Sequence, residues 1–183
     1  MNNNIELNQT CYETRQFEQP WTLESYRKIG GYTAWENILQ KKTSPQEIVE
    51  AVKTSGLRGR GGAGFPAGIK WGFIGKGDMQ KYLVCNSDES EPGTCKDRDI
   101  LRFNPHALIE GMAIAGYAVG ATVGYNYMRG EFMDEPAIRF QNALAVAYEL
   151  GFVGKNMRSL NKFVQVDKYY MNERNEFVLK LSN

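Results

Sequence analysis

The chain of 183 residues is 42% hydrophobic and 23% charged, and its formal net charge at pH 7 is +1. These values are typical of one globular domain, and the small net charge gives no general attraction to nucleic acid or to acidic membranes. The three cysteines form no C-x-x-C pair and there is a single histidine, so the sequence predicts neither a zinc site nor a four-cysteine iron–sulfur cluster.

The sequence also predicts where the protein resides. No stretch approaches the roughly 18 apolar residues of a membrane-spanning helix. The first ten residues lack the apolar segment or the arginines of a targeting peptide. Unclustered cysteines suit a reducing compartment. We therefore expect a cytoplasmic protein without direct membrane insertion.

The first part of the chain, residues 1–43, is polar with scattered aromatic residues. It predicts an N-terminal arm with one short helix near 23–29. The next helix has a clear start, because Ser44 can cap it, Pro45 suits its first position and Glu47 completes a capping box. Gly56 is expected to end this helix.

Strands and helices alternate in the middle of the chain. Residues 81–85 (KYLVC) predict a buried strand, and 121–128 predict a second strand with aromatic residues. Helices are expected over 106–119 and 135–150. This alternation indicates an α/β fold, a Rossmann-like layered domain with a mainly parallel sheet. We place this domain at 44–156.

The last segment, 157–183, is polar and has no clear periodicity. It predicts strands at 163–166 and 176–181. The segment does not continue the α/β pattern, and we treat it as an atypical tail.

A glycine-rich loop lies between the first capped helix and the first strand of the sheet. Gly59, Gly61 and Gly64 spell G-x-G-x-x-G, but a dinucleotide fingerprint must follow a strand and open a helix. Here the loop follows a helix, and Phe65-Pro66 interrupts what should be the next helix. The dinucleotide interpretation therefore fails.

Two interpretations of this loop stay open on the residues alone. It can be a flexible turn, or it can bind phosphate, because small glycines let backbone N–H groups converge on an anion. The cations Arg58, Arg60 and Lys70 favour the second interpretation. Phe65, Trp71 and Phe73 add apolar surface that suits stacking on a ring system or a place in the core.

A second group of polar residues directly follows the strand at 81–85. It consists of Asn86, Asp88, Glu89 and Glu91. The carboxyl ends of strands are where open α/β sheets place their ligand crevice, and these side chains can accept hydrogen bonds from sugar or ribityl hydroxyls. The alternative is a solvated acidic turn.

Five motifs together resemble one family. They are G-R-G-G-A-G-F-P-x-G-x-K-W at 59–71, C-N-x-D-E-S-E-P-G-T at 85–94, K-D-R-D-I-L at 96–101, N-P-H-A-L-I-E-G-M at 104–112 and A-T-V-G-Y-N-Y-M-R-G-E at 121–131. The chain closely resembles the NADH-binding flavoprotein subunits of respiratory complex I (NADH:quinone oxidoreductase), a pattern that the diaphorase subunits of NAD-linked hydrogenases and formate dehydrogenases share. The resemblance runs from about residue 21 to 156.

The resemblance implies an FMN site and an NADH site. The residues implied to hold the FMN phosphate and its surroundings are Gly61, Gly62, Gly64 and Lys70, and those at the ribityl chain and the flavin ring are Asn86, Asp88 and Glu89. Phe65 and Phe73 would stack on the adenine of NADH, and Glu91 would meet its ribose and nicotinamide side. The implied reaction is hydride transfer from NADH to FMN, followed by single-electron transfer to iron–sulfur clusters, with no catalytic acid or base from the protein.

The resemblance also implies partners and a location. The partners would be the iron–sulfur subunits of the complex I peripheral arm, on the cytoplasmic side of the inner membrane. This chain has no ligands for the family's [4Fe–4S] cluster, and its tail departs from the family pattern. We therefore expect a truncated, frameshifted or split gene product, and two hypotheses stand: an NADH dehydrogenase module, or a non-catalytic remnant with lost or weak FMN and NADH binding.

Overall fold

The computed structural model describes residues 9–75 and 77–154, and the backbone of 165–166, 169–171 and 177–179. The helices in this part of the chain are α1 (Leu23–Lys28), α2 (Thr33–Lys41), α3 (Pro45–Thr54), α4 (Ala67–Gly72), α5 (Asp97–Phe103), α6 (Pro105–Val119) and α7 (Glu135–Glu149). The strands are β1 (Tyr82–Ser87), β2 (Val123–Met128), β3 (Gln165–Val166), β4 (Tyr169–Met171) and β5 (Phe177–Leu179). Short 3-10 helices span Glu13–Gln16 and Gly130–Phe132.

The sheet at the centre of the fold is parallel. Its strand order is β1-β2-β3, and β1 pairs with β2 from Tyr82 opposite Val123 to Ser87 opposite Met128. The chain between β1 and β2 forms α5 and α6, and α7 follows β2. This alternation confirms the predicted α/β fold with a mainly parallel sheet. A separate antiparallel pair is formed by β4 and β5.

The start of α3 agrees with the prediction in detail. The hydroxyl of Ser44 accepts a hydrogen bond from the backbone N–H of Glu47 at 3.3 Å. The carboxylate of Glu47 in turn accepts one from the backbone N–H of Ser44 at 2.8 Å. Gly56 follows the helix with φ of +68°, a conformation that favours glycine.

The arm contributes more to the core than its composition predicts. Tyr32 and Trp35 are fully buried, and the indole N–H of Trp35 donates to the carbonyl of Phe152 at 2.9 Å. They pack with α6 and α7 in one apolar cluster. Helix α2, which carries Trp35, was not predicted, because only Trp35 and Leu39 in it are buried and its other positions are polar or partly exposed.

A buried polar cluster joins the arm to α6. The carboxylate of Glu110 accepts hydrogen bonds from the hydroxyl of Tyr26 at 2.5 Å and from the backbone N–H groups of Tyr32 at 2.8 Å and Trp35 at 3.1 Å. The Tyr32 hydroxyl lies 2.9 Å from His106 Nδ1. Burial, helped by the nearby charge of Arg27, lowers the pKa of His106 from 6.5 to about 4, so the ring is neutral at pH 7.

Strand β1 corrects one prediction. The sequence 81–85 predicts a buried strand, but every second side chain of β1 is exposed: Tyr82 at 51% and Val84 at 62%. Helix α6 packs on the sheet, and Met128 on β2 is buried. In the described part of the chain, no helix covers the opposite face, which carries Tyr82 and Val84. The apolar run at 81–85 therefore does not indicate a strand that is buried on both faces.

The remaining expectations concern the C-terminal segment and the membrane. Strand β3 falls within the strand predicted at 163–166, and β5 falls within the one predicted at 176–181. The other residues of both predictions lie outside the described part. Among the described residues, no helix combines the length and the apolar character needed to cross a bilayer.

Candidate functional site

A cavity of about 750 Å³ opens where β1 ends. This volume lies within the range of small-molecule sites, roughly 300–1,000 Å³. The cavity is lined by Arg60, Gly61, Gly62, Asn86, Asp88, Glu89, Ser90, Glu91, Thr94, Lys96 and Asp97. The glycine loop and the polar residues after β1 therefore face the same space, at the carboxyl end of a parallel strand.

The glycine loop is closed at its base by backbone hydrogen bonds. The N–H of Gly59 donates to the carbonyl of Phe65 at 2.9 Å, and the N–H of Ala67 donates to the carbonyl of Leu57 at 2.8 Å. The guanidinium of Arg58 adds a bond of 2.9 Å to the carbonyl of Gly64. Arg58 therefore holds the loop together from within.

The backbone on the cavity side of this loop is open, and two of the loop's glycines have a positive φ. A Cβ at Gly61 or Gly62 would meet no atom within 4 Å, so the space above this backbone is open. Gly62 has φ of +117° and Gly64 has φ of +62°, conformations that L side chains rarely adopt. The loop follows α3 rather than a strand, which agrees with the rejection of the dinucleotide fingerprint. The expectation that Phe65-Pro66 interrupts the next helix is wrong, because Pro66 is the N-cap of α4.

The polar segment after β1 is shaped by its own side chains. Asn86 Oδ1 accepts from the N–H of Asp88 at 2.9 Å, and Asp88 Oδ1 accepts from the Ser90 hydroxyl at 2.9 Å. Glu89 Oε2 accepts from the N–H groups of Asp97 at 2.6 Å and Arg98 at 3.0 Å. One carboxylate oxygen of Glu89 is thus bound to the first turn of α5, which has no side-chain cap of its own.

Charges in the cavity are unevenly distributed. Four carboxylates line it, and the cations that line it are Arg60 and Lys96. Both carboxylate oxygens of Asp97 lie 2.6 Å from Lys96 Nζ. Arg60, beside Gly61 and Gly62, is therefore the lining cation next to open glycine backbone.

The structure brings six of the ten predicted site residues to the cavity: Gly61, Gly62, Asn86, Asp88, Glu89 and Glu91. The others lie outside its lining. The carbonyl of Gly64 accepts the bond from Arg58, and Lys70 is on α4. Phe65 and Phe73 form a tilted pair with ring centroids 6.2 Å apart, and they are 47% and 72% exposed.

Sequence reasoning gave no role to four lining residues, Ser90, Thr94, Lys96 and Asp97, and it named Arg60 only as one of three cations that favour phosphate binding. A signal for them was present. Arg60 lies inside the glycine motif, and Lys96 and Asp97 open the K-D-R-D motif. Their role went unassigned because only the folded chain shows that the start of α5 returns to the end of β1.

The described residues do not form a metal site. No group of three or more histidine, cysteine, aspartate or glutamate side chains among them could hold a metal ion. Cys11 and Cys95 are exposed and Cys85 is partly buried; all three are free thiols.

The fold is similar to that of two solved structures. The chain is similar to a chain of the NAD+-reducing [NiFe]-hydrogenase in its H2-reduced state, with a TM-score of 0.52 and 33% identity over 68% of this chain and 22% of that one. The air-oxidised form of the hydrogenase gives a TM-score of 0.50 and 32% identity. The fold and the crevice define an α/β domain of the class found in the subunits of NAD-linked redox enzymes.

The family follows from the sequence matches. Residues 52–180 match the Nuo51 FMN-binding domain, and the chain belongs to this family. The NADH-quinone oxidoreductase F subunit of Rickettsia bellii is 53% identical over 76% of the chain, and the mitochondrial NADH-ubiquinone oxidoreductase 51 kDa subunit of Neurospora crassa is 51% identical over 75%. The match spans 33% and 28% of these relatives' own lengths. The family match extends beyond residue 156, where the motif resemblance ends.

Proposed function

We propose that the chain is the FMN- and NADH-binding module of a complex I type NADH dehydrogenase. The observation that carries this proposal is the single cavity shared by the glycine loop and the polar segment after β1, in a chain of the FMN-binding family. We propose 44–156 as the nucleotide-binding part of the module; the arm packs into its core through Tyr32 and Trp35, and β3 of the tail extends its parallel sheet. In this function the chain is an oxidoreductase subunit that binds and orients two nucleotides.

The cavity fits FMN in volume and in chemistry. Its glycine end offers open backbone beside Arg60, which suits a phosphate. Its other end offers Asn86, Asp88 and Glu89, whose oxygens can accept from the ribityl hydroxyls. The carboxylates exclude a phosphate from that end, so the charges favour one orientation of the nucleotide.

The NADH residues lie at the surface beside the loop. The exposed pair Phe65 and Phe73 presents flat apolar area for the adenine, and Glu91 lines the cavity where a ribose or a carboxamide would reach it. Lys70, on the helix between the two phenylalanines, is a second cation for the phosphates. We propose these roles on the resemblance and on this placement.

The chemistry that FMN supplies when bound is hydride acceptance from NADH and release of electrons one at a time. The protein residues position the two nucleotides, and no side chain of the cavity is required as an acid or base. The onward path to iron–sulfur clusters and quinone runs through partner subunits of the peripheral arm, on the cytoplasmic side of the inner membrane. The relatives named above are subunits of such oxidoreductases.

Flavin fluorescence tests the proposal directly. Titrating FMN with the purified chain should quench the fluorescence, and NADH with ferricyanide should then give turnover. Free flavin fluorescence at every protein concentration would contradict the proposal and support a non-catalytic remnant.

Three variants test the orientation. Arg60→Ala removes a charged contact of about 1.5–3 kcal/mol and should weaken FMN binding about tenfold or more. Gly61→Ala should fold normally, since its Cβ meets open space, and should also weaken binding. Lys70→Ala, outside the cavity lining, is the matched charge control and should have a smaller effect. A loss of FMN affinity in Lys70→Ala, with no loss in Arg60→Ala, would place the phosphate elsewhere.

A further inference from the structure

We propose that Arg129 is a positioning residue that holds the cavity-lining segment Asn86–Glu91 in its binding conformation. The effect on FMN binding rests on the proposed function, but the contact between Arg129 and Glu89 is present without any ligand. Arg129 does not line the cavity, and neither the glycine motif nor the resemblance assigns it a role. It comes directly after β2, while the segment consists of the last two residues of β1 and the loop that follows.

The contact crosses from one strand end to the next. Because Ser87 pairs with Met128 in the parallel register, the residues that follow the two strands leave the sheet side by side. The Nη1 group of Arg129 donates to the backbone carbonyl of Glu89. The guanidinium therefore contacts the middle of the cavity-lining segment through its backbone.

The guanidinium is itself held in one orientation. Glu131 pairs with it through two contacts, Nε to Oε2 at 2.9 Å and Nη2 to Oε1 at 3.0 Å. This fork leaves Nη1 directed at Glu89. The Glu131 side chain is 73% exposed, so the pair itself adds little stability, and its effect is to orient the guanidinium. On either side of Arg129, the buried residues Met128 and Phe132 fix the backbone.

Glu89 is thereby fixed at two points. Arg129 holds its carbonyl, and the N–H groups of Asp97 and Arg98 hold its carboxylate. Glu89 cannot shift without breaking one of these charged hydrogen bonds. The segment Asn86–Glu91 carries the predicted flavin contacts and Glu91. One arginine outside the cavity therefore controls the conformation of these polar lining residues.

Lysine cannot replace Arg129 in this arrangement. A single ammonium can bind the Glu89 carbonyl or pair with Glu131, but it lacks the planar fork that does both in a fixed geometry. Arg129→Lys should therefore resemble Arg129→Ala in FMN affinity, although it keeps the charge.

The experiment uses Arg129→Ala, with Arg139→Ala as the matched control. Arg139 is also partly buried, pairs with a glutamate and lies over the ring of Trp21, but it is on α7, away from the cavity lining. The first readout is hydrogen exchange of the ligand-free protein at the amides of Asp97 and Arg98. The second is the FMN dissociation constant, and each is repeated with millimolar guanidinium to replace the missing group.

In Arg129→Ala, exchange at these two amides should be faster, FMN affinity should fall about tenfold, and guanidinium should restore both. In Arg139→Ala neither readout should change, nor should it respond to guanidinium. Unchanged exchange in Arg129→Ala, or equal rescue of the control, would overturn the inference. Should Arg129→Ala not fold, Arg129→Lys gives the same readouts except the rescue. If the wild-type chain does not bind FMN, the proposed function fails, and the exchange measurement alone still decides the role of Arg129.

Discussion

Acid should destabilise this protein through His106, and the effect can be worked out from the structure. The ring is buried on α6, with Nδ1 2.9 Å from the Tyr32 hydroxyl. Burial raises the pKa of Tyr32, so its hydroxyl keeps its proton and forms a hydrogen bond with the neutral imidazole. A protonated ring would carry a charge in a buried site, away from water and close to the guanidinium of Arg27.

The sign of the pH dependence follows from the lowered pKa. In the unfolded chain the imidazole titrates at its ordinary value of 6.5, whereas in the folded protein it titrates at about 4. As the pH falls below about 6.5, the unfolded state takes up a proton that the folded state does not bind. The folded state is therefore fully favoured above this pH, and it loses about 1.4 kcal/mol per pH unit down to about pH 4. The total loss is about 3 kcal/mol.

The measurement compares the wild type with His106→Asn. Asparagine can accept from Tyr32 but does not titrate, so the carboxylates contribute equally to both proteins and the difference isolates His106. Urea unfolding followed by Trp fluorescence is suitable, because Trp35 is fully buried. The free energy of unfolding of the wild type should fall more steeply with acid than that of the variant. Parallel pH profiles would refute this account of the buried histidine.

Two further predictions concern packing. In Gly31→Ala the new Cβ would lie 2.2–2.4 Å from ring atoms of Tyr26, so we expect the free energy of unfolding in urea to fall by several kcal/mol. The control Gly111→Ala, whose Cβ would meet no atom within 4 Å, should be neutral or slightly stabilising. Ser87 donates to Asn126 Oδ1 at 2.6 Å, while the buried Nδ2 of Asn126 has no partner among the residues that the structure describes. Ser87→Ala alone should destabilise by about 1–2 kcal/mol, but the double variant with Asn126→Val should recover that loss; a double variant less stable than the single one would contradict this.

Local signals in the sequence predicted most of the helices and strands. The capping box at Ser44 works at short range, and so do the apolar periodicity of α6 and α7 and the glycine after α3; each was confirmed within a few residues. Helices α2, α4 and α5 were not predicted, and the first turns of α2 and α5 are held by carboxylates from outside the helix. Glu110 accepts from the backbone at the start of α2, and Glu89 accepts from the backbone at the start of α5.

The candidate site was predictable in composition but not in its contacts. The glycine motif and the polar run after β1 indicated a ligand crevice, and the structure places both on one cavity. The sequence could not indicate that Lys70 lies outside the lining while Arg60 lies within it. Nor could it indicate that Arg58 binds the loop carbonyl of Gly64, since three cations near one glycine run are equivalent until the loop closes.

The tyrosine and valine side chains along one side of β1 affect how the protein is handled. Tyr82 stacks on Tyr125 with ring centroids 5.8 Å apart, and Val84 and Tyr127 extend this exposed apolar surface. Such a surface adsorbs hydrophobic dyes and favours clustering at high concentration. Dye-based melting curves will start from a raised baseline, and crystallisation screens will benefit from polar replacements at Val84, which lies outside the cavity lining.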